Sequence, residues 1–178
     1  LIVRNESGTS VVYAAIGQYY FQGQWSGSSQ GLFRSTNGGT SWSNVMPSAG
    51  SGNHVPADLE LDANNNIWVG TRSNSYGEGG GKVMSSSNGT TFTTRTSLSG
   101  AGRVKVACAP SDGNYVYALF ESGSQAAAIR RTTNGGTNWS NRSEPNDDDT
   151  GISSTDFTRN QAWYDLALAV DPNNRSTL

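Results

Sequence analysis

The chain has 178 residues, enough for one sizeable core, with a net charge of −2 and a sequence pI near 5.3. That balance excludes the basic stripe an electrostatic nucleic-acid binder needs, and no apolar run approaches the roughly 20 residues of a membrane-spanning helix. Charged residues are only 15%, glycines number 22, and Ser, Thr and Asn crowd the turn-like segments, which predicts an all-β chain of many short strands.

Taken in order, residues 1–5 read as the end of a strand, Glu6-Ser7-Gly8-Thr9 as a turn, and Ser10–Gln18 as a second strand. A loop over 19–30 leads to a third strand at Gly31–Ser35 and a fourth at Trp42–Met46. The plan then repeats. Val55 to Asp62, Ile67–Thr71, Lys82–Ser86 and Phe92–Thr96 form a second set, and Arg103–Ala109, Tyr115–Glu121, Ala127–Thr132 and Trp139–Arg142 a third. After a nonrepeating stretch at 143–162, Tyr164–Val170 reads as the first strand of a fourth set, followed by the turn Asp171-Pro172-Asn173-Asn174.

Between the third and fourth strands of each set stands a related octapeptide. The copies are Ser35-Thr36-Asn37-Gly38-Gly39-Thr40-Ser41-Trp42, Ser85-Ser86-Ser87-Asn88-Gly89-Thr90-Thr91-Phe92 and Thr132-Thr133-Asn134-Gly135-Gly136-Thr137-Asn138-Trp139. Their aromatics recur at intervals of 50 and 47 residues, a period typical of propellers, solenoids or arrays. Asn-Gly and Gly-Gly supply positive φ, and hydroxyl and amide side chains bond back to the backbone, so the motif is hairpin-turn chemistry.

These boxes resemble the Asp-box, or bacterial-neuraminidase repeat, Ser-x-Asp-x-Gly-x-Thr-Trp, with Asn37, Ser87 and Asn134 at the Asp position. The resemblance implies a β-propeller in which Ser35, Asn37, Gly39, Trp42, Ser85, Gly89, Phe92, Asn134, Gly136 and Trp139 are structural. The expected architecture is an incomplete propeller. Its four-stranded antiparallel blades span about 1–52, 53–100 and 101–145, and the next opens at 163–178. Propellers typically carry four to eight blades, so the rest of the ring is expected from chain outside this sequence or from a partner chain. A shortened solenoid of hairpins is the other architecture. The start at Leu1 inside an apolar run, and the stop at Leu178 where a strand should begin, read as a segment of a longer polypeptide.

Strand order puts the boxes and the first turns of each blade on one side, and the long loops on the other, where binding residues concentrate. The long loops carry Tyr19, Tyr20, Trp25, Tyr76, Trp163 and Tyr164, aromatic faces suited to sugar rings or to packing against a neighbour. Glycoside hydrolysis needs two carboxylates. Asp58, Glu78, Asp156 and Asp165 are the candidates, each with the plainer reading of a capping or ion-paired charge. Asp147-Asp148-Asp149, with Glu144, offers oxygen ligands to Ca²⁺ or a solvated acidic loop. No other cofactor is expected. His54 is the only histidine and Cys108 the only cysteine, the latter read as a small buried thiol.

Sialidases and xyloglucanases are similar in the boxes. Yet the arginines on the long-loop side, Arg72, Arg103 and Arg159, lack the sialidase Arg-Ile-Pro setting, and no catalytic pair is placed. The segment from Gln161 to Asn174 resembles blade-opening strands of large Bacteroidetes surface proteins, many exported by type IX secretion, which implies an extracellular or cell-surface bacterial parent. The function expected is a secreted recognition scaffold for glycan or protein. Part of a sialidase- or xyloglucanase-like glycoside hydrolase is the alternative, and a sortilin-like peptide receptor the third reading.

Overall fold

A computed structural model describes residues 1–17, 19–26, 29–151 and 153–178, the side chains of 19–21, 25 and 26 excepted. Every regular element among them is a β-strand. In chain order these are β1 (Ile2–Glu6), β2 (Thr9–Ile16), β3 (Tyr19–Phe21), β4 (Gln24–Ser26), β5 (Gly31–Ser35), β6 (Ser43–Asn44), β7 (Ser48–Ala49) and β8 (Gly52–Asn53). There follow β9 (Val55–Leu61), β10 (Ile67–Arg72), β11 (Lys82–Ser86), β12 (Thr93–Ser97), β13 (Arg103–Cys108), β14 (Val116–Ser122), β15 (Gln125–Thr132) and β16 (Ser140–Arg142).

Antiparallel pairing sorts them into three four-stranded units: β1-β2-β5-β6, β9-β10-β11-β12 and β13-β14-β15-β16. A single bridge, Arg72 to Arg103, joins the second unit to the third. The expected loop 19–30 contains the small hairpin β3-β4, and the connection from the first unit to the second contains β7-β8. The outer strand β6 is only two residues long, a short edge that limits pairing with other chains.

The units stack face to face because strands alternate apolar side chains to both sides. From the second unit, Ile67, Val69, Met84 and Phe92 point back and bury against Val11, Tyr13, Leu32 and Met46 of the first. Trp68 and Val83 point forward and bury with Val104, Val106, Val116, Ala118 and Phe120 of the third. Gly70 also points forward, where an added Cβ would lie 2.8 Å from the Val104 carbonyl carbon, so close approach of the two sheets requires glycine there.

The inner edge of each sheet has backbone donors without a strand to pair with. β9 supplies what β13 lacks. Val106 N donates to Asp58 Oδ2 at 3.0 Å, and Cys108 N donates to Glu60 Oε2 at 2.7 Å. Asp58 Oδ1 also pairs with Lys105 Nζ at 3.0 Å. Cys108 is buried beneath this contact, and burial first, then the carboxylates of Glu60 and Asp62, push its thiol well above the ordinary range.

One expected strand forms no ladder. Residues 162–164 turn and 165–170 take no regular structure, with no second strand beside them among the described residues. Val170 and Leu168 nevertheless pack on Ala107, Ala109 and Tyr117 of the third unit, where a fourth unit's inner strand belongs. The architecture is an all-β partial β-propeller of three antiparallel blades with the start of a further one.

Candidate functional site: the long-loop face and the box hairpins

The two ends of the blades differ in chemistry. At one end lie the boxes, and their hydroxyl and amide side chains close each turn. Ser35 Oγ accepts from Gly39 N at 2.9 Å, and Asn37 Oδ1 accepts from Ser41 N at 2.9 Å. Thr132 and Asn134 repeat this with Gly136 N and Asn138 N, both at 2.9 Å.

The second box differs from its expected register. Ser86, not Ser85, accepts from Gly89 N at 2.8 Å, and Asn88, not Ser87, accepts from Thr91 N at 2.8 Å. The turn is one residue shorter, so the amide fills the same place from one position later. Ser85 instead accepts from Arg95 Nε at 2.7 Å.

The box glycines also join blades. Gly89 sits on Tyr13, whose hydroxyl donates to Gly89 O at 3.1 Å, and Gly136 sits on Trp68. Tyr13 and Trp68 hold equivalent register positions in β2 and β10, each one residue past the partner of the box's first residue. Beneath Gly89 the Glu6 carboxylate accepts from Arg4, Arg34 and Tyr13. Burial alone would raise Glu6, but those three hydrogen bonds outweigh it and hold the carboxyl below its usual range. The first turns of the blades lie on this side too, Arg4 donating to Asn65 O and Gly135 N to Asn114 O.

At the opposite end, between the first two blades, a cleft of about 450 Å³ is lined by Gln30, Ser48, Gly50, Ser51, Gly52, Asn53, Ser75 and Tyr76. Asn74 holds its walls together. Its amide nitrogen donates to Ala49 O at 3.3 Å on the β7-β8 hairpin, and its Oδ1 accepts from Tyr76 N and Glu78 N, both at 3.0 Å. Glu78 Oε2 accepts from Ser51 N at 2.7 Å, which ties the hairpin tip down from behind. Gln30 is 8% exposed, and among the described residues its Oε1 has no hydrogen-bond partner. Tyr76 is 64% exposed.

Beside the cleft, His54 is buried, with Nδ1 3.0 Å from Gly79 O and Nε2 3.4 Å from Lys82 Nζ. Neutral imidazole donating from Nδ1 leaves Nε2 to accept from the lysine, and both contacts are then satisfied.

The structure disperses the carboxylate candidates. Asp58 is engaged with β13, and Glu78 with the hairpin tip. Asp156 is buried, accepting from Gln125 and Asn160 N. Asp165 is exposed and lines a separate hollow with Leu119, Phe157 and Arg159. Among the described residues neither Arg72 nor Arg103 pairs with a carboxylate. Asp58 takes Lys105, and Arg103 donates to Trp163 O at 2.9 Å. Asp147 and Asp149 bond Arg159, and among the described residues no three or more His, Cys, Asp and Glu side chains are grouped so that they could hold a metal ion.

Of the aromatic candidates, Trp163 and Tyr164 are 61% and 51% exposed and meet edge to face at 4.4 Å. Tyr76 stands apart at the cleft. The side chains of Tyr19, Tyr20 and Trp25 lie outside the described residues. Gln30 and Asn74 were not singled out from the sequence. Nothing local marks Gln30, whereas Asn74 followed by a glycine-rich loop is an Asx-turn signal.

No protein-family model and no curated protein matches the sequence. A solved structure does: the chain is similar in fold to the GH74 enzyme of Niastella koreensis, with a TM-score of 0.54 and 19% identity. The match covers 78% of this chain and 21% of that one, so this chain spans about a fifth of the length of that enzyme. That enzyme belongs to a β-propeller family, and the likeness agrees with the blades described above.

Proposed function

We propose that the chain is an Asp-box segment of a secreted or cell-surface bacterial propeller, which recognises glycan on its long-loop face. The observation that carries this reading is the cleft between the first two blades, a formed, polar concavity with an exposed tyrosine at its rim. The second aromatic display at Trp163 and Tyr164 on the same face, and the fold shared with a GH74 enzyme, support it. The box hydrogen bonds support the family resemblance.

The proposed partner in structure is a further blade on the first one. Val12, Ala14, Phe33 and Trp42 occupy the register positions of Ile67, Val69, Met84 and Phe92. The latter are buried against a preceding blade, whereas Trp42 is 40% exposed and Phe33, Ala14 and Ile16 line an open apolar hollow. Remaining chain of the same propeller, or a partner chain, would cover it as the first blade covers the second.

A hydrolase whose cleft crosses this face is the second reading, motivated by the GH74 likeness. The ties of Asp58 and Glu78 count against those two as its acid and base, and Asp165 remains its best candidate. Glycan-array binding and reducing-sugar release by the intact parent test both readings together. Binding without turnover supports the scaffold. Turnover abolished by Asp165→Asn in a folded variant replaces it with the hydrolase, and neither binding nor turnover rejects both.

A further inference from the structure

The cleft between the first two blades has features that name the kind of sugar it takes. None of its eight lining residues carries a charge. The Glu78 carboxylate, bonded to Ser51 N in the cleft wall, puts negative charge beside the cleft and disfavours an anion. Three serines, Asn53 and the Gln30 amide give donors and acceptors that a hydroxyl, being both, can match. Gln30 is nine-tenths buried, and its Oε1 has no partner among the described residues, a costly state for a buried acceptor.

A Cβ added to Gly52 would meet Asn74 Nδ2 at 3.0 Å, and Gln30 Nε2 and Tyr76 Cδ2 at 3.5 Å. Those three side chains fill the space above Gly52, so the walls close over a glycine there, and the surface left to a ligand is the exposed side of the Tyr76 ring. Both walls are held before any ligand arrives, by Asn74 and Glu78 bonds across 25 to 27 residues of chain, so little ordering cost falls on binding.

We infer that this cleft is a subsite for an uncharged, hydroxyl-rich sugar ring, stacked on Tyr76 and hydrogen-bonded to Gln30. The inference rests on the glycan reading above and deepens it. Acidic sugars are disfavoured, because the lining offers no cation to pair with them and Glu78 adds negative charge beside it.

The probes are a neutral gluco-oligosaccharide and the same oligosaccharide oxidised to its uronate form, titrated into the chain by calorimetry and by NMR. The neutral form is expected to bind, and the uronate form to bind at least roughly tenfold more weakly. Tyr76→Ala and Gln30→Leu should each weaken neutral binding roughly tenfold, the worth of one stacked ring or one buried hydrogen bond. Tyr76→Phe should retain it and Trp163→Ala should leave it unchanged. Because Tyr76 is exposed, its variants stay folded even if Gln30→Leu does not. Neutral binding that survives both substitutions, or that is lost in Trp163→Ala instead, overturns the subsite while leaving glycan recognition standing. Tighter binding of the uronate overturns the neutral assignment. No binding of either, with other glycans bound on an array, sinks this inference alone; no glycan bound at all sinks both.

Discussion

Gly136 of the third box lies against the indole of Trp68 in the second blade, so close that a Cβ on the glycine would stand 2.8 Å from Cη2 of the ring. The box is thus more than a turn. Its glycine is the point where one blade's hairpin seats on the aromatic of the blade before it. The indole is fixed in turn, donating from Nε1 to Asp62 Oδ2 at 2.7 Å and meeting Trp139 edge to face at 6.2 Å.

Gly136→Ala should therefore cost more than the same change at Gly39. Both positions have positive φ, +86 and +91, so both pay backbone strain of about 1 kcal/mol. At Gly39 the nearest atom to an added Cβ is Trp42 Cζ2 at an ordinary 3.5 Å. At Gly136 the overlap with Trp68 should add about 1–3 kcal/mol. Urea unfolding of both variants checks this, and equal losses would mean that the seat on Trp68 yields freely.

Phe33 and Met84 hold equivalent register positions in their blades, yet only Met84 is covered. In this chain alone Met84→Glu should cost roughly 3–5 kcal/mol, by burying an unpaired carboxylate. Phe33→Glu should cost less than about 1 kcal/mol. In a longer polypeptide or complex with a further blade in place, Phe33→Glu should become as damaging as Met84→Glu. Thermal melts of both contexts decide it.

Asp58 and Glu60 serve the inner edge of β13. Glu60→Ala leaves Cys108 N buried without its acceptor and should lower stability by about 1–3 kcal/mol, with Glu60→Gln restoring much of it. Asp58→Asn keeps an acceptor for Val106 N and should change stability by less than about 1 kcal/mol. Hydrogen exchange at Val106 and Cys108 reads the two sites directly. Fast exchange in the unsubstituted protein would contradict these bonds.

Burial, reinforced by the Lys82 ammonium, holds His54 below its ordinary value of 6.5, against the opposing pull of the Gly79 carbonyl. A histidine with a depressed folded pKa contributes stability that is present above the unfolded value and lost as pH falls through the folded one. Melting temperature should therefore drop as pH is lowered below about 6.5, and His54→Gln should flatten that part of the profile. Acid loss at still lower pH, below the ordinary carboxylate range, should persist, because Glu6 is held down by its three donors and loses them on protonation. Parallel pH profiles of the two proteins separate the steps.

Much of this was legible in the chain. Strand alternation, the turns read at 6–9, 63–66 and 110–114, and the hairpins at the boxes all follow from interactions a few residues apart, and the repeat multiplies each signal three times. The second box shows the limit. Ser85-Ser86-Ser87-Asn88 offers two alignments of hydroxyl and amide, and only the pairing of Ile67 with Ser86 chooses between them.

What the sequence by itself determined, then, is the unit: four strands, a box, and a further copy beginning at each interval. Local backbone preference and turn chemistry suffice for that. What the tertiary structure decided is the use of side chains between units. Asp58 and Glu60 bond donors 48 residues away, and Asn74 reaches a hairpin 25 residues before it. Whether a carboxylate is free for chemistry, or an amide lines a cleft, depends on where a neighbouring blade comes to rest. No short-range pattern encodes that position; the packing of whole sheets does.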